Sequence, residues 1–268
     1  MASIVGLFLK PGGGVPMAAP GEGRLELRAG YGIAGDVNAN PLSPRQVLVT
    51  RYEDLRDLSI EPGDLRENVV VAGLDEWAFV PGTRLDIGDA SIRLTFHCEP
   101  CKRISHLVRS LKDILNRRGL LGVVLGGGSI AVGDTVVARP NAHAPLPERP
   151  YDRFRAFIAQ VPSSRVVTYR QVTAGMGVAS SYMRAIPRYV LQSPTDNVHR
   201  IVNSEGGLIE CYVPDQAARL RREAVEVVMA DGDLFGAGGQ HHVDLNRHAW
   251  VNAALWLDSA EPEHRLAL

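Results

Sequence analysis

Ser193 to Gly206 reads SPTDNVHRIVNSEG. Ile201 and Val202 form a short β-branched apolar pair, and Asn203-Ser-Glu-Gly206 carries the turn chemistry that ends a strand. Extended to Glu210, the stretch HRIVNSEGGLIE predicts a brief strand pair around that turn. The segments around it have a helical texture: YDRFRAFIAQV, TYRQVTAGMG, SYMRAIPRYVLQ and DQAARLRREAVEVVM. TYRQVTAGMG and SYMRAIPRYV read as a helix-turn-helix, with Gly175 and Gly177 in the turn. The second half is therefore expected to be mainly helical, with little sheet.

Upstream, the run ARPNAHAPLPERP (138–150) holds four prolines and predicts a stiff, extended linker. Before it the texture differs. RQVLVT, ENVVVAG, TRLDIGDASIRLTFH and GSIAVGDTVVA are short apolar runs divided by Gly, Asp and Pro, which read as strands with tight turns. RYEDLRDL and CKRISHLVRSLKDILNRRG read as helices, the second closing on Gly119. The fold class expected is α+β: a β-rich domain over 1–139, a Pro-rich linker over 140–150, and a helical domain over 151–268.

Composition bounds the function. The chain has 268 residues, 45% hydrophobic and 22% charged, which is ordinary globular composition. No apolar run approaches a membrane span, and MASIVGLFLKPGGG lacks the basic start of a signal peptide. Three cysteines make no disulfide framework. A cytoplasmic protein without membrane contact is the expectation. The formal charge is −1, but 151–200 holds seven Arg against two Asp, the pattern of a local anion-binding face or of a solvated helix surface.

In the first half GIAGD (32–36), RQVLV (45–49), PGDLRENVVVAGL (62–74), PGTRLDIGDASIRLT (81–95), CEPC (98–101) and GGGSIAVGD (126–134) occur in order. Over roughly residues 3–138 this set resembles the MOSC domain, the module shared by molybdenum cofactor sulfurases and related small proteins. The resemblance implies that Cys101 is the functional thiol, holding sulfur as a persulfide or ligating molybdenum. It also implies that Arg45, Glu67 and Asn68 converge with Cys101 on an anion-binding cleft. Lys102 and Arg103 follow Cys101 directly, and cations together with a helix start favour a thiolate. Cys98 is placed to resolve a disulfide. The alternatives for CEPC are a zinc half-site or two inert thiols; no second CxxC exists to complete a zinc site, so no zinc is expected. A pyridoxal-phosphate-dependent cysteine desulfurase is the partner class that would supply sulfur.

In the second half, about Asp152 to Trp250, the helix-turn-helix, the NVHRIVNSEG stretch and VDLNRHAW (243–250) resemble the alkyltransferase-like proteins. These keep the fold of O6-alkylguanine-DNA alkyltransferases without the acceptor cysteine. The frame is that of a reactive-cysteine site, with Val198 at the acceptor position followed by His199 and Arg200. Asn197 replaces the usual proline. The glutamate that tunes the histidine is expected near Val225, with Glu226 one place off, so both thiol and glutamate are missing and no alkyl transfer is expected. The resemblance implies double-stranded DNA or a purine-type ligand as partner. Arg184 would fill the gap of a flipped base, Tyr169 would rotate the phosphate, Tyr182 would contact the groove and Asn203 would hold the turn. Pro187 falls inside the expected recognition helix and would reshape it.

The function expected is a sulfur-carrying or molybdenum-cofactor-binding MOSC domain coupled to a non-catalytic DNA- or purine-binding domain. The rivals are a non-enzymatic sensor of alkylated guanine with the MOSC half as scaffold, and a protein-interaction module that binds no DNA.

Overall fold

The computed structural model describes residues 1–193, 196–229 and 240–251. The chain divides into two compact units, Met1–Glu148 and Arg149–Asn252. The architecture is α+β, with the sheet concentrated in the first unit and the helices in the second.

The first unit is a seven-stranded sheet beside a smaller three-stranded one. Its strands are β1 (Ser3–Leu7), β2 (Arg24–Arg28), β3 (Gly32–Ile33), β4 (Val47–Arg51), β5 (Val69–Ala72), β6 (Arg84–Ile87), β7 (Ala90–His97), β8 (Leu120–Gly126), β9 (Gly128–Ala131) and β10 (Val137–Arg139). The large sheet runs β1-β5-β4-β8-β7-β6-β10, and β3-β2-β9 form the small one. Only β4 and β5 of the large sheet pair in parallel. Between them lies helix α1 (Tyr52–Leu58), the crossover a parallel pair requires. The central strands are nearly continuous apolar runs because both faces are covered. Ile4, Val49, Val71, Leu85, Ile92 and Leu94 meet in one core.

The stretch CKRISHLVRSLKDILNRRG does not form the expected helix. It makes two short 3-10 segments, Lys102–Leu107 and Leu111–Ile114. Ile104 and Leu107, and again Leu111 and Ile114, stand three apart, the 3-10 period; Ile104 and Ile114 are buried against Leu55 and Leu65. Ser110 breaks the run by capping the second segment: its Oγ accepts from Lys112 N–H at 3.2 Å, and Asp113 accepts from Ser110 N–H at 3.0 Å. Gly119 closes no helix either. It enters β8 at φ +112°, and a Cβ there would stand 2.3 Å from Val49 O, so the close approach to β4 demands glycine.

The Pro-rich segment lies along the first unit. His143 N–H donates to Gly82 O at 3.0 Å, Arg93 Nη2 donates to Ala144 O at 2.7 Å, Leu146 packs with Phe96 and Leu121, and Glu148 pairs with His97 at 2.9 Å.

The second unit opens with α2 (Pro150–Gln160), with proline in its first turn where no N–H is needed. Then come β11 (Val167–Thr168), α3 (Tyr169–Gly175), a 3-10 segment (Ser180–Ala185), α4 (Ile186–Gln192), a 3-10 turn (Asp196–Arg200), β12 (Ile201–Val202), α5 (Gln216–Arg222), β13 (Val227–Met229), β14 (His241–Val243) and α6 (Leu245–His248). Four local expectations change, the first being that DQAARLRREAVEVVM is helical only to Arg222 and ends in β13. The strand pair predicted at HRIVNSEGGLIE is not a hairpin: β12 pairs in parallel with β11, and β13 pairs antiparallel with β14. SYMRAIPRYVLQ is two elements, and Pro187 starts α4 instead of interrupting it, which removes the steric cost of an interior proline. Gly177 makes the turn at φ +62°, whereas Gly175 lies within α3, where Phe157 leaves no room for a side chain. Thr168 caps α3 through a reciprocal box with Gln171. The VDLNRHAW segment ends with Trp250 packed on Phe157 at 5.7 Å between rings.

Candidate functional site

In the first unit the chemistry gathers where β7 ends and β8 begins. Cys98 N–H donates to Gly119 O at 2.9 Å, which brings the Cys98–Cys101 loop against Arg118. Arg118 is buried. Its Nη1 donates to Glu99 O at 2.5 Å and lies 3.6 Å from Cys101 Sγ, and its Nη2 donates to Leu65 O at 3.3 Å. The cation that touches the Cys101 sulfur is thus Arg118. Lys102 and Arg103 are exposed. Cys101 is half-buried and Cys98 fully buried. Arg45 reaches Cys98 instead, with Nη2 4.0 Å from its sulfur. Burial pushes the Cys98 thiol above its ordinary value, against the opposing pull of Arg118 and Arg45. Cys101 opens a 3-10 turn, not an α-helix.

Glu67 and Asn68 precede β5 and point to different partners. Glu67 is buried; its Oε1 accepts from Gly63 N–H at 2.6 Å, and its Oε2 has no hydrogen-bond partner. Burial raises its pKa, opposed by the Gly63 hydrogen bond. Asn68 is spent on structure. It accepts from Leu48 N–H at 3.0 Å and donates to Phe8 O at 3.2 Å and Asp36 Oδ2 at 2.9 Å.

Next to Glu67 opens a cavity of about 420 Å³ lined by Phe8, Gly63, Asp64, Arg66, Arg103 and His106 among others. Lys10 lies near it: burial lowers its pKa first, then the charges of Arg66 and Arg103. Phe8 lines the cavity and packs in the same cluster as Cys101. The lining holds two guanidiniums, Arg66 and Arg103, and one carboxylate, Asp64, a balance that suits an anion. Arg118, Lys10, Arg66 and His106 escaped the sequence reading. Arg118 stands 17 positions from Cys101, and only the sheet register joins them. Arg66 carried a weak signal, directly before Glu67-Asn68. Among the described residues no group of three or more His, Cys, Asp or Glu is placed to hold a metal ion.

In the second unit Val198, His199 and Arg200 are all buried. The glutamate expected near Val225 is present as Glu223. Its Oε1 lies 2.8 Å from His199 Nε2 and 2.6 Å from Arg200 Nη2, and its Oε2 accepts from Arg200 Nε at 2.9 Å. Burial would raise the Glu223 pKa, but the Arg200 and His199 hydrogen bonds win and hold it at about 2. Glu226 instead pairs with Arg247, and Val225 joins the core. Arg200 also ties down Val161 O at 2.5 Å and Ser163 Oγ at 3.0 Å. His199, Arg200 and Glu223 thus form one buried polar network beside Val198, whose side chain offers nothing nucleophilic.

The residues named for DNA contact lie on the helix-turn-helix and the turn after β12. Arg184 is exposed and lies in the last turn of the 3-10 segment before α4; Tyr182 on the same segment is half-exposed. Tyr169 opens α3, its hydroxyl pushed up to about 12 by burial and by Tyr212 and Cys211 nearby. Asn203 Oδ1 accepts from Glu205 N–H at 2.9 Å and Gly207 N–H at 2.8 Å, fixing the turn. Of the seven arginines in 151–200, Arg153 and Arg200 are buried, while Arg155, Arg165, Arg170, Arg184 and Arg188 are exposed.

Residues 43–137 match the family model of the MOSC domain, so the first unit contains a MOSC domain. No curated protein matches the chain. Among solved structures, the chain is similar to YuaD of Bacillus subtilis at 18% identity and TM-score 0.44, over 51% of this chain and 94% of that one. YiiM of Geobacillus stearothermophilus is 13% identical with TM-score 0.43, over 82% and 100%. Atl1 of S. pombe, solved with damaged DNA containing O6-carboxymethylguanine, is 24% identical with TM-score 0.33, over 38% and 95%. Among the described residues no helix is long and apolar enough to cross a membrane.

Proposed function

We propose that the MOSC unit handles sulfur or molybdenum at Cys101. The observation that carries this reading is the Arg118 guanidinium 3.6 Å from a half-buried Cys101 sulfur, next to a cation-lined cavity. A sulfur anion or a sulfur-bound metal oxyanion gains charge-assisted contacts there. The residues present fit a phosphate-bearing pterin cofactor: Arg66, Arg103 and His106 would hold the phosphate and Cys101 the metal. When bound, such a group supplies molybdenum redox or oxygen-transfer chemistry. The chain's own part is to bind the anion, to hold the Cys101 side chain against Arg118, and to keep Cys98 and Glu67 away from water. A cysteine desulfurase is the class of donor that would load a persulfide.

The second unit, in this reading, is an alkyltransferase-like module without transfer chemistry, which binds DNA through exposed arginines and opens a base with Arg184. The exposed Arg155, Arg165, Arg170, Arg184 and Arg188 supply the phosphate contacts. His199, Arg200 and Glu223 act as a structural lock under the position a base would occupy. Sulfur and molybdenum content of the full chain, compared with Cys101→Ser, tests the first half of the proposal. Salt-dependent duplex binding tests the second.

A further inference from the structure

We propose that Cys98 resolves a persulfide carried on Cys101, expelling the outer sulfur as hydrogen sulfide and leaving a Cys98–Cys101 disulfide. This rests on the reading of Cys101 as a sulfur carrier.

The two thiols differ in access. Cys98 is 2% exposed, whereas Cys101 is only partly covered. A sulfur donor in solution therefore reaches Cys101 more readily than Cys98. Glu99 and Pro100 alone separate them, the CxxC spacing in which a second thiol attacks a mixed disulfide within the same loop. Each sulfur has its own guanidinium within 4.0 Å, Arg118 at Cys101 and Arg45 at Cys98. Arg118 stands between the loop carbonyl of Glu99 and the Cys101 sulfur, where it stabilises negative charge leaving that sulfur.

The step balances. The Cys98 sulfur attacks the inner sulfur of the Cys101 persulfide. The persulfide S–S bond breaks and the Cys98–Cys101 S–S bond forms. The outer sulfur is reduced to sulfide, the Cys98 sulfur is oxidised, and the Cys98 proton leaves with the sulfide as hydrogen sulfide. Hydrosulfide is a better leaving group than an alkyl thiolate, which directs the attack to the inner sulfur. A small dithiol reductant returns both thiols. The pair would thus clear a sulfur that no acceptor has taken and mark the empty carrier as oxidised.

The test uses the full chain in a Cys211→Ser background, which removes the exposed third thiol. The reduced protein is loaded with inorganic polysulfide, desalted, and followed by sulfide release and peptide mass mapping. Expected is a Cys101 peptide one sulfur heavier, whose decay matches sulfide release and the growth of a Cys98–Cys101 linked peptide. Cys98→Ala should keep the sulfur on Cys101 and lose the sulfide release. Equal release from both proteins, or release without the linked peptide, overturns the proposal. The linked-peptide result comes from the unsubstituted Cys98 protein, so it stands even if Cys98→Ala does not fold. If Cys101 gains no sulfur in either protein, the carrier reading itself fails, and that outcome is distinct from the first two.

Discussion

His199 Nε2 stands 2.8 Å from Glu223 Oε1, and the carboxylate requires that this nitrogen carry the proton. Arg200 grips the same carboxylate through two nitrogens. The three side chains join the turn before β12 to the end of α5 beside the buried Val198. Together they form a structural lock.

That lock is acid-sensitive. The Arg200 and His199 hydrogen bonds hold the Glu223 carboxyl at about 2, against an ordinary 4.5. A depressed carboxylate contributes stability above its unfolded pKa and loses it as pH falls from 4.5 towards about 2. Glu223→Gln should cost about 3 kcal/mol near neutral pH, because it leaves the buried Arg200 without its countercharge. It should also flatten the acid limb of the second unit's stability curve. Urea melts at several pH values read both effects; a variant with an unchanged acid limb would remove the lock from the account.

Duplex DNA bearing O6-methylguanine should transfer no methyl group to the protein. Val198 cannot accept one, and His199 is held by Glu223. Intact mass after prolonged incubation checks this, and a single added methyl in the second unit would contradict it.

The full chain should bind duplex DNA with affinity that falls steeply as salt rises, since the exposed arginines release counterions from phosphates. An alkylated guanine should strengthen binding, because a damaged pair costs less to open. Arg184→Ala should abolish that preference and leave the non-specific part. Tyr169→Phe should lose about 1 kcal/mol, the worth of one hydrogen bond. Fluorescence anisotropy across a salt series reads all three, and no binding even at low salt would favour a module that contacts no DNA.

Gly175→Ala should destabilise the second unit by about 2–3 kcal/mol through overpacking. The added Cβ would fall 2.1 Å from the Phe157 ring, and Phe157 is itself wedged against Trp250. Chemical denaturation measures the loss; a neutral substitution would mean that α2 and α3 are less tightly joined than the packing requires.

Strand positions were legible in the sequence because buried strands are written as unbroken β-branched runs, as at Val69-Val70-Val71. The 3-10 segments after Cys101 were not, since apolar residues three apart resemble a helix stripe until Ser110 is seen to cap. Pro187 misled for a related reason: its meaning depends on where α4 starts, and only the 3-10 segment before it fixes that point. Cys101 could be named from local motifs, but Arg118 could not, because its contact is made by strand register. Glu223 was missed by two positions, since its contact with His199 depends on where α5 ends.

The account turns on Cys101. The most direct measurement is the sulfur and molybdenum content of the full chain, purified from cells supplied with molybdate, beside that of Cys101→Ser. Peptide mass mapping locates added sulfur and elemental analysis counts the metal. The account predicts a stoichiometric persulfide at Cys101 or stoichiometric molybdenum in the unsubstituted protein, and neither in Cys101→Ser. Equal content in the two proteins, or none in the unsubstituted one, would contradict it.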